Sequence, residues 1–154
     1  MGDEEQALAA AVATAAQSRG LTVAAAESVT AGGIATALAT GESASEWFSG
    51  SVVAYRTDLK QRLLGVTSDR VITRECAIEM AAGARRVTGA DVAVAVTGVG
   101  GPDPEEDQPP GTVFIAVAYG DDIHVHDHAF SGAPARIVEQ STIAALQHLA
   151  HAIA

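Results

Sequence analysis

The apolar residues of this chain are mostly small. Of 154 residues, 33 are alanine and 15 are glycine, while aromatic side chains make up only 4%. A core made of such residues has little side-chain bulk to fill the space between layers. It must rely on close backbone approach, with Val, Ile and Leu supplying the remaining volume. A hydrophobic content of 48% still suffices for a folded core without disulfides or a structural metal. The length suits one domain over residues 1–154.

Periodicity divides the chain into alternating elements. Residues 3–19 read as a helix: Leu8, Val12 and Ala16 recur at helical spacing, Asp3, Glu4 and Glu5 suit its positive end, and Gly20 stops it. Leu21–Ala26 is a short apolar run and reads as a buried strand. A small-residue helix follows through Ala39, with Thr30 as its expected cap. Residues 40–50 read as a loop or short turn, Ser51–Tyr55 as a strand, and Thr57–Leu64 as a helix ended by Gly65. Thr73–Thr88 forms a helix capped by Thr73, and Asp91–Val96 a strand that leads into a glycine-rich loop. Residues 102–110 are rich in Pro and acid and read as an exposed loop. Thr112–Tyr119 and Ile123–Phe130 form a hairpin, and a final helix runs from about Ala133 to His151 with Pro134 in its first turn. This order predicts an α/β layered domain, a mixed sheet covered by helices.

Charge and composition narrow the partners. The net charge is −10 and no basic run is present, which argues against nucleic-acid binding. An anionic substrate would need locally placed donors. The acidic start MGDEEQALAA lacks the basic region of a secretory signal, and no apolar stretch is long enough to span a membrane, so a cytoplasmic protein is expected. Cys76 is the only cysteine and reads as a buried, inert thiol. His124, His126 and His128 alternate and so share one strand face, read as the exposed face of an edge strand rather than a metal site. Alanine-rich helices and the hairpin edge point to a homodimer.

Three segments carry candidate chemistry. After the strand at 91–96, Gly98, Gly100 and Gly101 let a backbone approach a ligand and present successive N–H groups. In Glu27–Gly33 a strand exit meets a helix start, a geometry that either binds an anion or merely caps the helix. The third is Lys60, the only lysine beside eight arginines. A lysine serves as a general base when burial or neighbouring positive charge lowers its pKa; a solvated surface lysine is the commoner case.

Together these segments resemble a known family. Ala26-Glu27-Ser28-Val29-Thr30-Ala31-Gly32 is similar to the signature of the CinA C-terminal domain family, whose characterised members are nicotinamide mononucleotide (NMN) amidohydrolases. Glu46-Trp47-Phe48-Ser49-Gly50, Val53-Ala54-Tyr55, Lys60 with Leu64-Gly65-Val66, Thr97–Asp103, Pro110-Gly111-Thr112-Val113 and Phe130-Ser131-Gly132 fit the family's further blocks in order. The resemblance implies a three-layer α/β/α sandwich. It also implies a serine amidohydrolase of NAD salvage with a Ser/Lys dyad and no cofactor or metal. By position Ser45 is the expected nucleophile and Lys60 its base. Ser28 is the alternative nucleophile, and Ser28 and Tyr55 line the same catalytic site as polar supports or proton-transfer groups. Glu27, Thr30, Gly32, Thr97, Gly98 and Gly101 are the expected substrate-binding residues. Alternatives are a nucleotide-binding module without activity and an amidohydrolase of another small carboxamide.

Two positions depart from the family pattern. Ala31 stands where relatives often have a glycine, which a negative φ would tolerate. Ala133-Pro134 replace an Asp-Arg pair, leaving Arg136 as the expected holder of the substrate phosphate.

Overall fold

The architecture was taken from a computed structural model, which describes residues 1–154. Its elements are α1 (Asp3–Arg19), β1 (Val23–Glu27), α2 (Gly33–Leu38), α3 (Ala44–Trp47), β2 (Phe48–Val53), α4 (Thr57–Leu64), α5 (Arg74–Thr88), β3 (Val92–Gly98), β4 (Thr112–Tyr119), β5 (Asp122–Ala129) and α6 (Pro134–Ile153). The five strands form one sheet in the order β2-β1-β3-β4-β5. β2, β1 and β3 run parallel, and β4 and β5 return antiparallel. Helices cover both faces, giving the mixed three-layer α/β/α sandwich that the sequence predicts.

The small-residue composition is distributed by face. β3 alternates strictly: Val92, Val94 and Val96 point into one core, Ala93 and Ala95 into the other. β4 does the same, with Val113, Ile115 and Val117 opposite Ala116 and Ala118. The Val/Ile face packs against α1, α2 and α6 through Val12, Ile34, Leu146 and Leu149. The alanine face receives α5, whose inner row is Cys76, Ala77, Met80, Ala81 and Ala84. Through these mostly small side chains α5 packs on the sheet, and α4 packs on α5. At Gly83 a Cβ would fall 2.2 Å from the Leu64 carbonyl oxygen, so the crossing exists only because that residue has no side chain.

Two local expectations change. Residues 40–50 are not all loop, because they hold α3 and the start of β2. Trp47 organises them: its ring is buried, and its Nε1 donates to the Glu42 carbonyl at 2.9 Å. The loop at 102–110 is held down as well. Glu106 accepts from the Val71 and Ile72 amides at 2.8 and 3.0 Å, and Gln108 donates to the Ile72 carbonyl at 2.6 Å. These residues form a strap across the carboxyl end of the sheet.

All five histidines gather at the β5–α6 edge. His126 stacks on His148 with ring centroids 3.8 Å apart, and the Nε2 atoms of His128 and His148 lie 2.9 Å apart. The β5 face is therefore partly covered by α6 rather than open. Burial, followed by the neighbouring His126, His128 and His151, pushes the His148 pKa down to about 4.

Two measurements check this packing. Gly83→Ala should destabilise the fold by about 2 kcal/mol, or roughly 5 °C in Tm, as α4 is pushed off α5. His148 is held neutral when folded, so its contribution is complete above its unfolded pKa near 6.5 and is lost as pH falls toward 4. The Tm of the protein should fall over that window, and His148→Gln should flatten this part of the curve.

Candidate functional site

The site begins with a buried carboxylate. Glu27 ends β1 with no exposed surface. Its Oε1 accepts from the Thr30 hydroxyl at 2.8 Å and from the Gly32 and Ile34 amides at 3.1 and 2.9 Å. Its Oε2 accepts from the Ala35 amide at 3.1 Å and the Ser51 hydroxyl at 2.8 Å. All five partners are donors, the complement of a carboxylate. One side chain thus supplies the N-terminal acceptors of α2, closes the turn at 28–32 and fastens β2 to β1.

This corrects three expectations. Thr30 does not cap α2; it donates to Glu27, which does the capping. Glu27, Thr30 and Gly32 are consumed in the anchor and do not border the open cleft. The amides at the start of α2 are likewise committed and do not present an anion site. Ala31 also differs from expectation: its φ is +47°, in the left-handed region. The turn carries that strain, on the order of 1 kcal/mol, to bring Gly32, Ile34 and Ala35 onto the carboxylate.

What the anchor sets in place is Ser28, the next residue. It lies at the carboxyl end of the parallel strands, where open α/β sheets bind ligands. A cleft of about 760 Å³ opens there, bordered by Ser28, Tyr55, Lys60, Gly98 and Gly101 among others. The β1–α2 turn brings Ser28, the β2–α4 connection brings Tyr55, and α4 brings Lys60 back over the strand ends. The loop after β3 brings Gly98 and Gly101.

Lys60 is not a surface lysine, since only 2% of it is exposed. Its Nζ donates to the Tyr55 backbone carbonyl at 2.9 Å. Burial lowers its pKa below the usual lysine value, while the carboxylates of Glu105 and Glu106 pull the other way. Below it on α5, burial pushes the Cys76 thiol up to about 11, so it stays protonated and inert as expected. Ser28 is 7% exposed as a residue, and its hydroxyl makes no hydrogen bond within the protein. The amides of Gly100 and Gly101 donate to no protein group, whereas that of Val99 is taken by the Thr112 carbonyl.

Three other residues fall elsewhere. Ser45 lies on α3, before β2 begins, whereas Lys60 follows its end. The register pairs Val23 with Phe48 at one end and Glu27 with Val53 at the other, so about 17 Å of strand separates Ser45 from the cleft within the chain. Thr97 is fully buried, and its hydroxyl donates to the Val71 carbonyl at 2.6 Å, a strut beneath the strap. Arg136 pairs with Glu139 at 2.9 Å in a separate groove beside α6. The cations that border the cleft are Lys60 and Arg56, whose Nε meets Asp58 at 3.0 Å. Sequence reasoning missed Glu105 and Glu106; Arg56 is visible in sequence as a cation four residues before Lys60. The signal for the two glutamates was the acid-rich 102–110 segment, read only as an exposed loop.

The fold and cleft define an α/β domain with a serine and a buried lysine at the carboxyl edge of a mixed sheet. Residues 5–153 match the model of the CinA C-terminal domain, and the chain belongs to that family. It is similar to a Bacillus pumilus protein bearing the competence-damage inducible name, 39% identical over 153 residues, which cover 96% of this chain and 37% of that one. It is also similar to the CinA-like protein of Thermotoga maritima, 39% identical over 141 residues, 83% of this chain and 33% of that one. The chain thus spans about a third of the length of these relatives. Among solved structures, it is similar to the competence or damage-inducible protein of Enterobacter asburiae, with a TM-score of 0.94 at 27% identity, covering 99% of this chain and 100% of the other. It is likewise similar to the CinA superfamily protein of Klebsiella pneumoniae, with a TM-score of 0.92 at 29% identity and 97% of each chain covered. No helix is long and apolar enough to cross a membrane.

The anchor has a direct test. Glu27→Gln turns an amide N–H₂ toward donors that have no other acceptor. It should lower stability by about 2–3 kcal/mol in denaturant unfolding.

Proposed function

We propose that this chain is a Ser/Lys amidohydrolase that converts NMN and water to nicotinate mononucleotide and ammonia, with Ser28 as the nucleophile. The observation that carries the reading is a fully buried lysine sharing one cleft with an unpartnered serine hydroxyl. Ser28 takes the role that position in the family pattern gave to Ser45, because Ser45 and Lys60 lie at opposite ends of β2.

The steps use groups already at the cleft. Burial favours the neutral amine of Lys60, and one N–H is occupied by the Tyr55 carbonyl. Its lone pair takes the Ser28 proton as Oγ attacks the carboxamide carbon. The Gly100 and Gly101 amides serve the developing oxyanion, a stabilisation of roughly 3 kcal/mol per donor. The Lys60 ammonium returns its proton to the departing nitrogen, ammonia leaves, and an acyl ester on Ser28 remains. Water, deprotonated by Lys60, then attacks the ester carbonyl. The acid product leaves and Ser28 regains its proton.

Ammonia release from NMN tests the reading. Ser28→Ala and Lys60→Met should each lower kcat by about 10³-fold or more, the methionine preserving most of the buried stem. Ser45→Ala should retain most of the activity. The active form is the free amine, so kcat/KM should rise with pH and level off above the Lys60 pKa, which lies below the ordinary lysine value. Absence of turnover in folded protein, or an unaffected Ser28→Ala, would overturn the proposal.

A further inference from the structure

Four carboxylates border the cleft: Asp58, Asp69, Glu105 and Glu106. Three have partners. Asp58 accepts from Arg56 at 3.0 Å, Asp69 from Gln61 Nε2 at 3.1 Å, and Glu106 from the Val71 and Ile72 amides at 2.8 and 3.0 Å. The Glu105 carboxylate has no hydrogen-bond or ion-pair partner, although its backbone is fixed. Its N–H and C=O exchange hydrogen bonds with Gln108 at 3.1 and 2.9 Å, and the next residue is clamped to the 71–72 segment. A rigid strap therefore holds one uncompensated negative charge at the edge of the cleft, within electrostatic reach of Lys60.

That placement works against a general base. A carboxylate near Lys60 favours its ammonium form, the form that cannot accept the Ser28 proton. The charge has a use only if a cation arrives with the substrate. An N-alkylated nicotinamide provides one: its ring nitrogen is a pyridinium centre, meta to the carboxamide to be cleaved. Seated with the carboxamide toward Ser28, the ring puts its positive charge beside Lys60 and within the field of Glu105. It offsets the carboxylate and favours the free amine once substrate is bound.

We propose that Glu105 is a specificity-determining residue that faces the cationic ring of the substrate, so that the cleft selects N-alkylated nicotinamides over neutral carboxamides. The inference rests on the amidohydrolase reading of the same cleft. It concerns the ring alone and leaves the phosphate to other groups. Glu105 is exposed and outside the core, so its replacement leaves the fold intact.

The test compares NMN with its reduced form, which has the same phosphate and carboxamide but a neutral dihydropyridine ring. Wild-type protein should prefer NMN in kcat/KM, and the preference should weaken as salt rises. Glu105→Gln should reduce the ratio of the two kcat/KM values about fivefold, the weight of one screened ion pair, and Glu105→Asp should restore most of it. In Glu105→Gln the rising limb of the pH profile should also move to lower pH, since a negative charge near Lys60 is gone. A ratio and pH profile unchanged in folded Glu105→Gln would overturn the inference and leave the amidohydrolase reading standing. If wild-type protein hydrolyses neither nucleotide, that reading fails, and calorimetric binding decides Glu105. A preference for NMN that Glu105→Gln abolishes supports its role, and equal binding of both nucleotides overturns it.

Discussion

Five donors converge on the carboxylate of Glu27, and the site depends on their being satisfied together. A carboxylate without exposed surface is tolerable only where every oxygen is well used, because desolvation costs several kcal/mol. Here the compensation comes from three segments at once: the turn after β1, the first turn of α2 and the edge strand β2. Satisfying the charge therefore fixes the relative positions of these segments. Ser28 is the first residue outside the anchor, so its backbone is held on one side by β1 and on the other by the turn. The positive φ of Ala31 belongs to the same arrangement, since a relaxed turn would draw amides off the carboxylate.

A second constraint comes from the uneven faces of the sheet. The valines of β3 and β4 face α1, α2 and α6, while the alanines on the reverse face α5. Gly83 then lets α4 settle against α5, and α4 carries Lys60. The seating of α4 on α5 thus carries the lysine to its buried position.

Much of the fold was legible because it follows from periodicity and local stops. The sequence-based ranges for α4 and β4 coincide with the structure, and Gly20, Gly65 and Gly89 end α1, α4 and α5 as left-handed caps. The lining of the cleft was legible where candidate residues sit next to an element boundary, as for Ser28, Lys60, Gly98 and Gly101. It was not legible where distance depends on the run of a strand. Ser45 and Lys60 are 15 residues apart in sequence, but a whole β-strand lies between them. Thr30 has the residue type of a helix cap, yet a glutamate three residues earlier in sequence has longer reach and more acceptor capacity. The acid-rich segment is largely exposed, as expected, but its anchoring was not legible because its hydrogen bonds go to residues 71 and 72, a pairing that no local pattern announces.

The way Lys60 is held has a consequence for how the cleft can vary. Its amine is bound to the main-chain carbonyl of Tyr55, and that tyrosine is 66% exposed at the edge of the cleft. The carbonyl is common to every amino acid; the ring is not. The position that steadies the amine and the position that shapes the entrance are the same residue, yet they vary independently. Exchanges at residue 55 can widen, narrow or recharge the entrance while the lysine keeps its partner. The entrance of the cleft can thus change without disturbing the way its buried amine is held.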